Sequence, residues 1–241
     1  MVSDLVRSIY RAWCPPAIYR AIIYIREMHA GRQRNPIVER ILKHINKKNG
    51  FFIEIGANDG ITQSNTIFLE RAMGWSGLLV EPSPHNYIKC RENRSEKNSI
   101  FCAACVGFDY GEQFVPIAYA NLMSSPIGLE SDIDDPQAHA NSGNKFLAAS
   151  EDVFVFGASA IQLNKLLDKI HAPHAIDFFS LDVEGAEIEV LKGVDHNKYR
   201  FRNLVVECRD IEKMTAYLQA LDYVFVEKLT VHDYLFQDGR K

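Results

Sequence analysis

Five acids in this sequence stand at or near the ends of short apolar runs. They are Glu54 in FFIEIGANDG, Glu81 in GLLVEP, Asp182 and Glu184 in FFSLDVEG, and Glu207 in LVVECRD. Carboxylates presented at strand ends can accept hydroxyl hydrogens, meet a cationic ligand, or remove a proton. The first of these runs continues into Gly56, Ala57, Asn58, Asp59 and Gly60. Glycines at such a place let a backbone approach a ligand that a Cβ would repel, although a tight strand-to-helix turn needs them equally. Glu81 tips the balance. A carboxylate at the tip of the next strand, followed by Pro82, can accept hydrogen bonds from both hydroxyls of a ribose, which points to a nucleoside cofactor.

The G-x-x-x-G spacing lacks the middle glycine of a dinucleotide loop. A pyrophosphate also wants helix-terminal amides and little negative charge nearby. Glu54, Asp59 and Asp182 suit a ligand whose far end is cationic instead. S-adenosylmethionine, with a sulfonium and an ammonium group and no phosphate, answers that description better than NAD. Asp182, Glu184 and Glu207 are the candidate proton acceptors, with His85 and His232 behind them. If the chain stays extended after Asp182, residues 182 and 184 share a face; a turn there would separate them. The same three acids offer oxygen ligands for Mg²⁺, although the metal-free reading is preferred.

The elements that must hold these groups alternate along the chain. Strands are expected at 51–55, 77–80, 99–106, 176–181 and 204–206, with a further one at 151–156. Helices are expected at 64–73, 84–94, 161–170, 186–192 and near 211–221. This alternation predicts an α/β fold with a mostly parallel sheet covered on both faces. The runs 223–226 and 231–236 predict a C-terminal antiparallel hairpin. Residues 108–150, with Pro116, Pro126 and Pro136, read as an irregular insertion too long to be idle. Within it, Leu122-Met123-Ser124-Ser125 is the first candidate for acceptor contact.

Ahead of the first strand, residues 1–50 read as a helical N-terminal extension to the domain at 51–241. Residues 1–48 hold ten Lys/Arg against three Asp/Glu, a net of +7, so the remainder carries −11 of the total −4. A basic arm beside Ile, Tyr and Trp fits a peripheral helix on anionic lipid; packing on the sheet or a homodimer contact is the favoured reading. Arginines interrupt the apolar stretches in this region, so neither a signal peptide nor a spanning helix is expected. No nucleic-acid partner is expected. Of the five cysteines, Cys102 and Cys105 have C-x-x-C spacing without a second pair, and reduced cysteines in a cytoplasmic protein are expected.

FFIEIGANDGITQSNTIFLER, GWSGLLVEPSPHNY, RENRS and IDFFSLDVEGAEIEVLKGVD together resemble the FkbM-type family of S-adenosylmethionine-dependent methyltransferases. The order and spacing match over about residues 38 to 236. The resemblance implies a Rossmann-like class I methyltransferase fold with a seven-stranded sheet. It also implies that Glu54 and the 56–60 loop hold the methionine moiety, Glu81 the ribose and Cys102-Ala103 the adenine edge, with Asn65 assisting. Members of known activity mostly methylate hydroxyls on sugars of glycans or on macrolide-type natural products. The expectation is therefore O-methylation of a carbohydrate hydroxyl. A degenerate domain that binds without turnover and an NAD-dependent sugar oxidoreductase are the alternatives. The latter lacks a convincing Tyr/Lys pair.

Overall fold

The computed structural model describes residues 36–45, 47–147 and 151–240. The helices expected before residue 35, Cys14, and the lipid or dimer contacts expected of the basic arm lie outside the described residues. Helix α1, Pro36–Ile41, comes first. Strand β1, Phe51–Ile55, leads through the glycine loop to α2, Ile67–Met73, which Gly74 closes in the left-handed conformation. Strand β2, Ser76–Val80, is followed by α3, Pro84–Asn93, whose first turn Ser83 caps by accepting from the Asn86 N–H. Strand β3 is Ser99–Phe101.

The run at 99–106 is not one strand. It leaves the first sheet after Phe101, and β4, Ala104–Cys105, joins a second sheet. That sheet has the order β4-β7-β5-β6, with β5 at Phe114–Tyr119, β6 at Ser125–Pro126 and β7 at Phe154–Ile161. The insertion is therefore ordered rather than irregular, and it also carries α4, Pro136–Ser142. Its prolines mask the signal. Pro116 sits inside β5 opposite Gly157, where its missing N–H breaks the look of a strand while its carbonyl still accepts from Ile127.

The chain then returns through α5, Leu163–Lys169, and β8, Ala175–Ile176, to β9, Phe178–Leu181. Helix α6, Glu187–Lys192, strand β10, Arg200–Phe201, and strand β11, Asn203–Glu207, follow. Helix α7, Ile211–Gln219, leads into the hairpin of β12, Tyr223–Lys228, and β13, Asp233–Asp238. The main sheet has the order β12-β13-β11-β9-β1-β2-β3. Its neighbours are parallel from β11 to β3, and β13 is antiparallel to both β11 and β12.

Strand alternation divides the core. Ile53, Ile55, Phe179, Leu204 and Phe236 pack on one face with Leu163, Val190 and Met214 of α5, α6 and α7. Phe52, Leu79, Phe178 and Val205 pack on the other with Ile41, Leu69, Trp75 and Cys90. Glu54 shares the Phe52 face by the two-residue period, which directs it towards α2 and α3.

Candidate active site

Strands β1, β2 and β9 end level with one another. The Gly56 and Ala57 N–H groups donate to the Val80 carbonyl at 3.0 and 3.1 Å, and the Asp182 N–H donates to the Ile55 carbonyl at 3.1 Å. Strand order reverses about β1, because β2 follows on one side and β9 on the other. Beyond these ends lies a cavity of about 960 Å³, counting its open mouth. This is where an open parallel sheet places a ligand. Of the candidate residues, Glu54, Gly56, Ala57, Asn58, Asn65, Glu81, Pro82, Ala103, Asp182 and Glu184 line it.

Gly56 has φ +87°, and a Cβ there would fall inside the Asp182 carbonyl oxygen. Its first duty is to let β1 and β9 converge. Gly60 lies outside the cavity, with φ +80° and with Cys90 Sγ and Arg94 Cγ where a Cβ would stand. Asp59 is outside it too. Its carboxylate accepts from the N–H groups of Ile61 and Thr62 and from Thr62 Oγ1, so it shapes the turn rather than facing a cofactor. Cys102 is likewise outside; Ala103, Ala104 and Cys105 form that wall.

Glu54 reaches the cavity with its oxygens already engaged. They accept from Ser64 Oγ, the Asn65 N–H, Thr66 Oγ1 and Arg94 Nη1, at 2.6 to 3.0 Å. Arg94, with a wholly buried side chain, also donates to Glu70 and to the Gly60 carbonyl. Glu54 thus lines the cavity while its oxygens are shared with α2 and Arg94. It pins the loop and the start of α2, because its place on the strand points it to the helices. Asn65 Nδ2 donates to Ser180 Oγ at 3.0 Å, joining α2's leading turn to β9 inside the cavity.

Glu81 is the carboxylate left for a ligand. Its two oxygens accept one backbone N–H each, from Asn58 at 2.8 Å and Ser83 at 2.9 Å. Each retains a second lone pair for a hydroxyl, as a ribose requires. Burial pushes its carboxyl up to about 7, against the two amides, which pull it down.

At the β9 end, the chain turns after Leu181 and Glu184 adopts φ +54°, yet the acids are not separated. One oxygen each from Asp182, Glu184 and Glu207 lie within 4.8 Å of one another. Burial first, then Glu207 and Glu184, hold Asp182 well above the usual carboxylate range. Asp182 and Glu207 are close enough that their carboxyls titrate as a pair. Glu207 stands behind Asp182 and does not line the cavity. Glu184 does line it, and its Oε2 accepts from Arg209 Nη2 and pairs with His139 Nε2, both at 2.9 Å. The Arg209 guanidinium also lies 3.6 Å from Glu207. It thus brings positive charge to the place a divalent cation would occupy, and the three acids do not fit a metal as well as they fit this arginine.

His139, Arg209, Asp132, Arg94 and Ser180 were not singled out from the sequence. His139 and Asp132 come from the insertion, and Asp132 Oδ2 accepts from the Arg209 N–H at 2.5 Å. Their only sequence signal is membership of a long Pro-rich segment. His85 is exposed and 3.6 Å from Glu151, and exposed His232 lies in the turn before β13; neither lines the cavity. Of the suggested acceptor segment, Leu122 and Ser124 line the cavity, whereas Ser125 Oγ donates to the Glu184 carbonyl.

Acids thus follow β2 and β9 at the mouth of a cavity beyond the ends of a mostly parallel sheet. The model of the Methyltransferase FkbM domain matches residues 54–225, well over half of the chain, and the chain belongs to that family. No curated protein matches at a significant level. Among solved structures, one similar chain is a SAM dependent methyltransferase from Aquifex aeolicus, 10% identical, with 83% of this chain and 88% of that one covered at a TM-score of 0.41. Another is a precorrin-6y C5,15-methyltransferase from Geobacter metallireducens, 10% identical, covering 79% and 80% at 0.41.

Proposed function

We propose that this protein methylates a hydroxyl group of a sugar, in a glycan or a glycosylated natural product. One observation carries the reading. Among the described residues, the cavity is lined by four carboxylates, Glu54, Glu81, Asp182 and Glu184, and by no Lys, Arg or His. Arg94 and Arg209 are already committed to Glu54 and Glu184, so a phosphorylated or carboxylated acceptor meets acids rather than a cation among the described lining residues, whereas polyol hydroxyls donate to carboxylates. Family members of known activity support the same acceptor class.

When bound, S-adenosylmethionine supplies an electrophilic methyl group. Glu81 holds the ribose hydroxyls through the lone pairs that Asn58 and Ser83 leave free. Asp182, relieved of its proton by a neighbouring cation, faces the ammonium end. Glu184 receives the acceptor hydroxyl on Oε1, because Arg209 and His139 fix Oε2. It would take the hydroxyl proton as the new O–C bond forms and the sulfonium S–C bond breaks, with S-adenosylhomocysteine as the leaving group. Burial, followed by Glu207, raises its carboxyl, which makes it a better base than an exposed glutamate.

The test is methyl transfer from label-bearing S-adenosylmethionine to a panel of neutral oligosaccharides, sugar phosphates and sugar acids. Label should enter the neutral sugars, and Glu184→Gln should lower turnover by about 10²-fold or more. Label confined to the anionic acceptors would overturn the assignment.

A further inference from the structure

Two asparagines in the left-handed conformation meet across the cavity wall. Asn58 of the glycine loop has φ +46°, and Asn121 of the insertion has φ +57°. Both line the cavity. Asn58 Nδ2 donates to Asn121 Oδ1 at 3.1 Å, and Asn121 Nδ2 donates to the Phe146 carbonyl at 3.3 Å. The Asn121 carbonyl in turn accepts from Ser124 Oγ at 2.7 Å. Positive φ in a non-glycine residue costs of order 1 kcal/mol and persists where the surroundings over-determine it, commonly at ligand clamps. Here each asparagine is held on its backbone side and its amide side at once.

The contact also has a direction. Asn58 gives its backbone N–H to Glu81, the ribose acid, and its side chain to Asn121. A chain of hydrogen bonds thus runs from Glu81 through Asn58 and Asn121 to Phe146, from the cofactor half of the cavity into the insertion. Residue 121 belongs to no motif in the sequence, and the segment around it reads only as acceptor territory.

We infer that Asn121 is a cofactor-positioning residue: with Asn58 it forms a clasp that holds the insertion against the glycine loop and pre-organises the nucleoside half of the cavity. The inference rests on the S-adenosylmethionine reading of that cavity. Without the clasp, the loop and insertion must be ordered by the ligand, and affinity falls by that amount. The hydrogen bond joins side chains only, so glycine at either position removes it while keeping the backbone conformation free of strain.

The experiment is calorimetric titration of S-adenosylhomocysteine into wild type, Asn121→Gly, Asn58→Gly and the double variant, with unliganded melting curves for each. Each single variant should raise the dissociation constant about fivefold, the effect of one ordinary hydrogen bond. The double variant should be no weaker than Asn121→Gly, because that variant already removes the shared bond along with the one to Phe146. Unliganded melting temperatures should move little, since the glycines relieve strain as they remove the contact. Wild-type affinity in Asn121→Gly, or effects that multiply in the double variant, would overturn the clasp alone. No binding to wild type would overturn the methyltransferase reading and the clasp with it.

Discussion

Glu81 combines the chemistry of a ligand with that of a buried acid. Its oxygens are each half satisfied by a backbone amide, and burial lifts its carboxyl to about 7. Ribose hydroxyls are received best by the ionised form, so S-adenosylhomocysteine should bind more weakly as pH falls from 8 to 6. Below the transition the loss should approach tenfold per pH unit, measurable by calorimetry. Glu81→Gln should weaken binding about 10- to 100-fold at pH 8, as expected for a lost charge-assisted contact, and should flatten that pH profile. A profile that stays steep in the variant would move the titration to another group. The acids at strand ends were legible in the sequence because each follows an apolar run. The division of labour among them was not. Glu54 and Glu81 look alike as letters and both line the cavity, yet Glu54 is paired with Arg94 while Glu81 accepts only two backbone N–H groups. Asp59 was misread for a similar reason: a turn-forming aspartate and a ligand aspartate differ only in what surrounds them.

At the scale of elements, two buried charge arrangements hold the cavity in shape. Arg94 links α3 to Glu54 of β1, Glu70 of α2 and the glycine loop, and its side chain is 0% exposed. Replacing it with methionine leaves Glu54 and Glu70 without their cation, and should cost about 3–5 kcal/mol in chemical denaturation. Glu187, at the start of α6, accepts from the Val183 and Gly185 N–H groups and so fixes the turn that carries Glu184. Burial raises its carboxyl to about 8 from an ordinary value of 4.5, although those amides oppose the shift. Between these pH values the folded chain holds a proton that the unfolded chain lacks. Its contribution is therefore present at the acid end and is lost as pH rises through about 8. Glu187→Gln removes this dependence, and wild type should lose stability relative to the variant over that window. Equal slopes in the two proteins would contradict it. The sequence placed Glu187 in the first turn of the helix expected at 186–192. It did not show Arg94, which stood inside a motif as one basic residue among several.

On the scale of the whole molecule, the parallel sheet and its C-terminal hairpin were legible from alternating apolar runs, because buried parallel strands need such runs. The second sheet was not. Its strands β5 and β7 lie 34 residues apart at their near ends, from Tyr119 to Phe154, and prolines interrupt the pattern between them. The segment between these strands reaches the ends of β9 and β11 through Asp132, His139 and Ser125. No helix among the described residues is long and apolar enough to cross a membrane. A ligand that binds this folded cavity and not the unfolded chain should stabilise the protein by about 2.7 kcal/mol at one hundred times its dissociation constant, seen as a raised melting temperature. The central claim is that the carboxylate-lined cavity takes the S-adenosyl group and refuses a pyrophosphate. Calorimetric titration of the wild-type protein with S-adenosylhomocysteine and, separately, with NAD tests it most directly. Saturable binding of S-adenosylhomocysteine without binding of NAD is the predicted result; binding of NAD alone would contradict the account.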